Sequence, residues 1–135
     1  MTATPASVAL WTPERANRAL PLIRRIADDL VRSFALWREL VERFEIAVSG
    51  SLPSRPDPEA ERLEREVKRT AVEIEHFLSE LAKLGVECKS PETALLDFPS
   101  ERDGRLVYLC WMRGEAAVTH WHELDAGFAG RQPLA

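Results

Sequence analysis

Residues Thr12–Val48, TPERANRALPLIRRIADDLVRSFALWRELVERFEIAV, decide the fold. Ala16, Leu20, Ile23, Ala27, Leu30, Phe34, Trp37, Val41, Phe44 and Val48 follow one another at alternating steps of four and three. Side chains at that spacing share one face of an α-helix, so this heptad-like seam predicts a long, coiled-coil-type helix over residues 13–48. Its start is written in Thr12-Pro13-Glu14. The threonine hydroxyl can cap free amides, proline suits the first helical position, and glutamate favours the positive end of the dipole. At 1.5 Å per residue the rod is about 50 Å long. Pro21 removes a backbone donor and crowds the carbonyl of Asn17, which predicts a kink or a short break.

Working outward, residues 49–57 form a connector with Pro53, Pro56 and several small polar residues. Asp57-Pro58-Glu59 then repeats the logic of Thr12-Pro13-Glu14. A second seam, Ala60, Leu63, Val67, Thr70, Ile74, Phe77, Leu81 and Leu84, predicts a helix over 58–84 that closes at Gly85. A short connection makes the two helices antiparallel neighbours. Their apolar faces are wider than one partner needs: Leu22, Ile26, Leu36 and Leu40 flank the first seam, and Val72 and Leu78 the second. A stripe that broad meets a third layer, and a short sheet cannot sheathe the whole hairpin. A homodimer with a four-helix arrangement is therefore expected. Phe34, Trp37, Phe44 and Phe77 read as core or dimer interface, and His76 as a surface histidine in contact with Glu73, Glu75 or Glu80.

Beyond Gly85 the helical period stops. Ala94–Phe98 is a strand candidate ended by Pro99, and Asp103-Gly104 is a strong hairpin-turn signal. Leu106–Met112 reads as a strand buried on both faces, one against the helices and one under the C-terminal tail. Val118–His122 completes a small antiparallel meander spanning 95–122, followed by an ordered tail over 123–135. The expected fold is α+β and mainly α, one domain over 1–135 made of a long antiparallel helical hairpin with a small C-terminal sheet.

The scarce chemistry gathers in this last segment. On a strand, Val118, His120 and His122 would share one face and Thr119, Trp121 and Glu123 the other. His120 and His122 are thus a candidate metal pair for a divalent transition metal, with Glu123 or Asp125 as an oxygen ligand. The alternative is two histidines lining a polar groove, bonded to carboxylates or backbone. Cys110, mid-strand, reads as an apolar filler rather than a nucleophile, and Cys88 as a more exposed loop thiol. Asp125–Pro133 has no regular period. Arg131 there either takes an anion or pairs with Asp97 or Asp125, and Phe128 is expected to pack on the sheet.

Composition excludes several classes. A net charge of −4, with Arg24 and Arg25 followed by Asp28 and Asp29, gives a solvated mixed face rather than a basic nucleic-acid patch. No apolar run reaches membrane-spanning length, and the first sixteen residues lack the pattern of a signal peptide. Two cysteines without metal spacing or a secretion signal imply reduced thiols and a cytoplasmic protein.

Five segments carry a family resemblance: Thr12–Pro21 (TPERANRALP), Leu95–Pro99 (LLDFP), Asp103–Arg105 (DGR), Val107–Trp111 (VYLCW) and Trp121–Pro133 (WHELDAGFAGRQP). Together they resemble the bacterial domain of unknown function 2203 family, across nearly the whole chain. The resemblance implies a bacterial cytosolic protein with a helical hairpin and a small sheet, and it implies no activity. It shifts interest from His120 to His122, Asp125, Arg131 and Gln132, beside Trp121, as the candidate ligand-binding cluster. The expected function is a non-catalytic dimeric binding or interaction module, with neither nucleic acid nor membrane as partner. The alternative is a metal-dependent or acid–base enzyme centred on His122.

Overall fold

The computed structural model describes residues 9–52, 54–55 and 57–135. Pro53 and Pro56 of the connector, and residues 1–8 of the stretch read for a signal peptide, lie outside the described residues. Helix α1 spans Pro13–Ser49 and helix α2 Pro58–Leu84. Both start as the sequence implies. The Thr12 hydroxyl accepts from the Arg15 amide at 3.1 Å, and the Asp57 carboxylate accepts from the Glu59 amide at 3.0 Å. Gly85, at φ 86°, ends α2 in the left-handed conformation, where its amide and that of Val86 satisfy the carbonyls of Ala82 and Leu81.

Of the kink or short break expected at Pro21, the break is absent: α1 is continuous through it. Leu20 and Ile23, on either side of the proline, are both buried in the same core. Packing of both turns against one surface offsets the single lost backbone bond.

The first seam splits in two. Ala16, Leu20, Ile23, Ala27 and Leu30 are buried against the sheet and α2. Beyond Leu30, the residue sealed against α2 is Leu40, whereas Phe34, Trp37, Val41 and Phe44 are half-buried and Val48 is exposed. A straight helix drifts about 20° per heptad against a 3.5-residue repeat, so the helix–helix contact moves off the seam and leaves an apolar stripe beside it.

The sheet has five antiparallel strands in chain order, not three: β1 Glu87–Ser90, β2 Leu95–Arg102, β3 Arg105–Met112, β4 His120–His122 and β5 Gln132–Pro133. The two added strands are the short edges, four and two residues long, and neither has an apolar alternation to announce it. They also correct Cys88, which is half-buried in β1 and not in a loop. Strand β2 runs through Pro99 to Arg102 rather than stopping at the proline. Beyond Asp97 strand β1 no longer pairs with β2, and the Pro99 carbonyl accepts instead from the Trp11 amide at 2.7 Å. The missing proline N–H points to that same open edge, where no ladder bond needs it.

Leu96, Phe98, Val107, Leu109, Trp111 and Trp121 turn to the helices and form one core with α1 and α2. Burial on both faces of β3 holds for Leu109, Cys110 and Trp111 but not for Leu106, which is 50% exposed at the hairpin end. Val118 departs from the predicted alternation: it sits in the core with Trp121. Its amide donates to Asn17 Oδ1 at 2.8 Å, and its carbonyl accepts from Asn17 Nδ2 at 3.2 Å. One helical side chain thereby takes the place of a neighbouring strand, and β4 begins only at His120. Asn17→Ala would orphan both backbone groups, and we expect a loss of about 1–3 kcal/mol. Urea unfolding followed by circular dichroism checks this; a midpoint equal to that of the parent would contradict it.

Candidate functional site

The opposite face of the sheet carries the chemistry. The two-residue turn at Asp103-Gly104, with φ of 53° and 79°, sets the β2–β3 register so that Asp97 faces Cys110. Strand β4 then places His120 opposite Cys110 and His122 opposite Tyr108. Asp97, Cys110 and His122 therefore come from three adjacent strands and converge, one potential ligand atom of each lying within 4.8 Å of the others. All three are buried; Asp97 and His122 are each 2% exposed.

His122 Nε2 lies 2.9 Å from Asp97 Oδ1, and Nδ1 lies 2.7 Å from the Glu123 carbonyl oxygen. A carbonyl only accepts, so Nδ1 carries a hydrogen and donates. A single proton then lies between Nε2 and the Asp97 carboxyl, and the buried pair is neutral overall wherever that proton resides. Burial raises the Asp97 pKa above its ordinary 3.8, partly offset by the hydrogen bond from His122. The Cys110 thiol is pushed up to about 12, by burial first and by the Asp97 charge next. A thiol so held is not an activated nucleophile.

A folded-state pKa above the unfolded value means that the native state holds this proton more tightly. The resulting stability is complete below the unfolded 3.8 and is lost as pH rises through the raised folded value. We therefore expect Asp97→Asn to gain stability relative to the parent as pH climbs through that window, since the amide can donate to Nε2 without a buried charge. Urea midpoints of both proteins measured against pH test this. A difference that stays constant across the window would contradict it.

A cavity of about 340 Å³ opens onto the pair, between Lys89, Leu95, Asp97 and His122 on the sheet and residues 124–128 of the tail. Asp125 lines it, opposite the sheet. Arg131 does not reach it, nor does it bind Asp97 or Asp125 as expected. Its Nη2 pairs with Glu115 and lies 2.9 Å from His120 Nδ1, and Nη1 is buried without a partner. Since arginine only donates, Nδ1 of His120 accepts, which leaves the hydrogen on Nε2. His120 thus belongs to an Arg131–Glu115 cluster and is not among the three converging groups. Trp121 faces the core, with the Arg102 guanidinium 4.8 Å from its ring, and Gln132 is exposed on β5. Phe128 is 41% exposed, lines the cavity with Leu95 and His122, and has its ring 4.6 Å from the Arg131 guanidinium. His76 makes the local contact expected, to Glu80 at 3.3 Å.

Sequence reasoning missed Asp97 as the partner of His122, and Tyr108, whose ring lies 5.5 Å from that of His122 and whose hydroxyl donates to Glu87 at 2.9 Å. The signal for Asp97 was available: an acid inside the apolar run Leu95–Phe98 must find a partner when buried. A larger cavity of about 460 Å³, between α1 and the turn after β3, has its Arg113 and Asp28 joined to each other at 2.6 Å and is lined by none of Asp97, Cys110, His122 and Tyr108.

Fold and site define a class: a helical hairpin capped by an antiparallel sheet whose outer face holds a buried carboxylate, imidazole and thiol. Residues 9–134 match the family described as "Uncharacterized conserved protein (DUF2203)", and the chain belongs to that family. No curated protein and no solved structure matches it. Among the described residues, no helix is long and apolar enough to cross a membrane.

Proposed function

We propose that this protein is a non-catalytic binding module of the bacterial cytosol that works as a homodimer, joined through the distal half of the hairpin. The observation that carries this reading is the stripe Phe34, Trp37, Val41, Phe44 and Val48, which lies beside the α1–α2 contact and, among the described residues, has no third layer over it. Phe34 and Trp37 meet Ala71, Ile74, Leu78 and Pro91 around an apolar groove of about 250 Å³. From Phe34 to Val48 the stripe is about 20 Å long at helical rise, enough for a helix-on-helix interface. Beside it on α1, Arg38 and Arg43 find their carboxylates within the chain, in Glu92 and Glu59. A second copy offers the same apolar stripe, and a two-fold axis pairs it with itself.

On the sheet cap, the acid–base groups are engaged with one another, and the cavity above them suits a small polar ligand rather than a nucleophilic reaction. Cys88 and Cys110 stand as free thiols on separate strands, in keeping with a reducing compartment.

Light scattering at micromolar concentration is expected to give a dimer. Trp37→Glu is expected to weaken it by about a hundredfold, the size of an interface hot spot, with helical circular dichroism retained. A monomeric parent protein would overturn the reading.

A further inference from the structure

We infer that Asp97, Cys110 and His122 form a binding site for a divalent transition metal of the zinc class, with the fourth position open to the cavity beneath the tail. Geometry comes first. Thiolate, imidazole and carboxylate donors around a tetrahedral ion with bonds of about 2.0–2.3 Å stand roughly 3.3–3.8 Å apart. The three groups here already lie within 4.8 Å of one another, on adjacent strands of one sheet. The 2.9 Å contact between His122 and Asp97 must lengthen to admit the ion, and separations near the 4.8 Å limit must close by about 1 Å.

Orientation is the second observation. His122 Nδ1 donates to the Glu123 carbonyl, and this is how proteins fix a ligating imidazole, with Nε2 directed at the metal. His120 offers no such arrangement, because its Nδ1 accepts from Arg131.

Charge balance is the third. With the thiol protonated and one proton between Asp97 and His122, the cluster is neutral. A divalent ion bound by the Cys110 thiolate, the Asp97 carboxylate and neutral His122 is neutral as well. Binding exchanges two protons, one from the thiol and one from the Asp97–His122 pair, for one M²⁺, with no change of oxidation state. A neutral result is what a buried site tolerates, since an uncompensated charge there is costly. The donor set, one soft and two borderline or hard, favours zinc or cobalt over magnesium or calcium. Asp97 and His122 line the cavity, so water reaches the remaining coordination position.

Cobalt(II) added to the metal-free full chain is the probe. One equivalent is expected to produce a thiolate-to-cobalt charge-transfer band with the visible spectrum of a tetrahedral ion. Zinc(II) should abolish both, and calorimetry in buffers of differing ionisation enthalpy should count two protons released per ion. Cys110→Ala should lose the band, whereas Cys88→Ala and His120→Ala should keep it. A parent protein without a saturable band overturns the inference. So does a band that survives Cys110→Ala, or one that disappears with Cys88 or His120.

Discussion

His122→Ala is expected to destabilise the metal-free protein by about 3–5 kcal/mol above neutral pH, the cost of breaking a buried ion pair by removing one partner. The imidazole is 2% exposed and uses both nitrogens, so the substitution strips the buried Asp97 carboxylate of its imidazole partner, while the Glu123 carbonyl keeps the Ala126 amide at 3.1 Å. Its pH dependence separates this cause from simple loss of volume. Without His122, Asp97 relieves its burial by taking a proton, and the deficit should shrink as pH falls. A cavity alone would give a deficit independent of pH. Replacing both residues by leucine is expected to cost less than His122→Ala, because the double variant buries no unpaired charge. Urea midpoints followed by tryptophan fluorescence measure all three. A deficit below about 1 kcal/mol, the scale of one ordinary hydrogen bond, would show that the pair contributes little.

The hairpin was legible because its determinants are local. Thr12, Asp57 and Gly85 act within one turn of their own positions, and the seams repeat over many residues. Part of the site was legible for the same reason. Counting outward from the Asp103-Gly104 turn pairs Arg102 with Arg105 and, five steps on, Asp97 with Cys110. That step needs only the two-residue turn already recognised. The position of His122 was not available in this way. The segment between β3 and β4 is held by Asn17, by Glu115, which accepts from the Met112 amide at 2.8 Å, and by Arg131. Glu115 lies in the segment itself, but Asn17 and Arg131 come from distant parts of the chain, and no local rule fixes their sum. The strand period placed His120 and His122 on one face, but a shared face is not a shared partner: one imidazole meets Asp97 and the other Arg131.

Trp11 is the other residue whose role no local pattern disclosed, and Trp11→Ala is expected to cost about 3–5 kcal/mol. It precedes the first helix cap, outside the seam, yet it is 3% exposed and joins three parts of the fold. Its indole Nε1 donates to the Gly85 carbonyl at 3.2 Å, and its ring meets Phe98 edge-on at 5.2 Å. Its backbone bridges to the sheet through the Pro99 carbonyl and the Ser100 hydroxyl, the latter donating to the Trp11 carbonyl at 2.6 Å. The alanine variant keeps those backbone bonds but opens a cavity at the point where the end of α2, the start of α1 and strand β2 meet. Trp11→Phe refills most of that volume and loses only the indole bond, so its expected cost is about 1 kcal/mol. The gap between the two variants, read from urea unfolding by circular dichroism, isolates packing from hydrogen bonding. Equal losses would mean that the indole N–H, not the ring, ties the hairpin to the sheet. Because Phe98 follows Asp97 directly on β2, loosening the inner face at Trp11 should also be felt on the outer one. Amide exchange at Asp97 and Cys110 is expected to speed up in Trp11→Ala and to stay near the parent rate in Trp11→Phe.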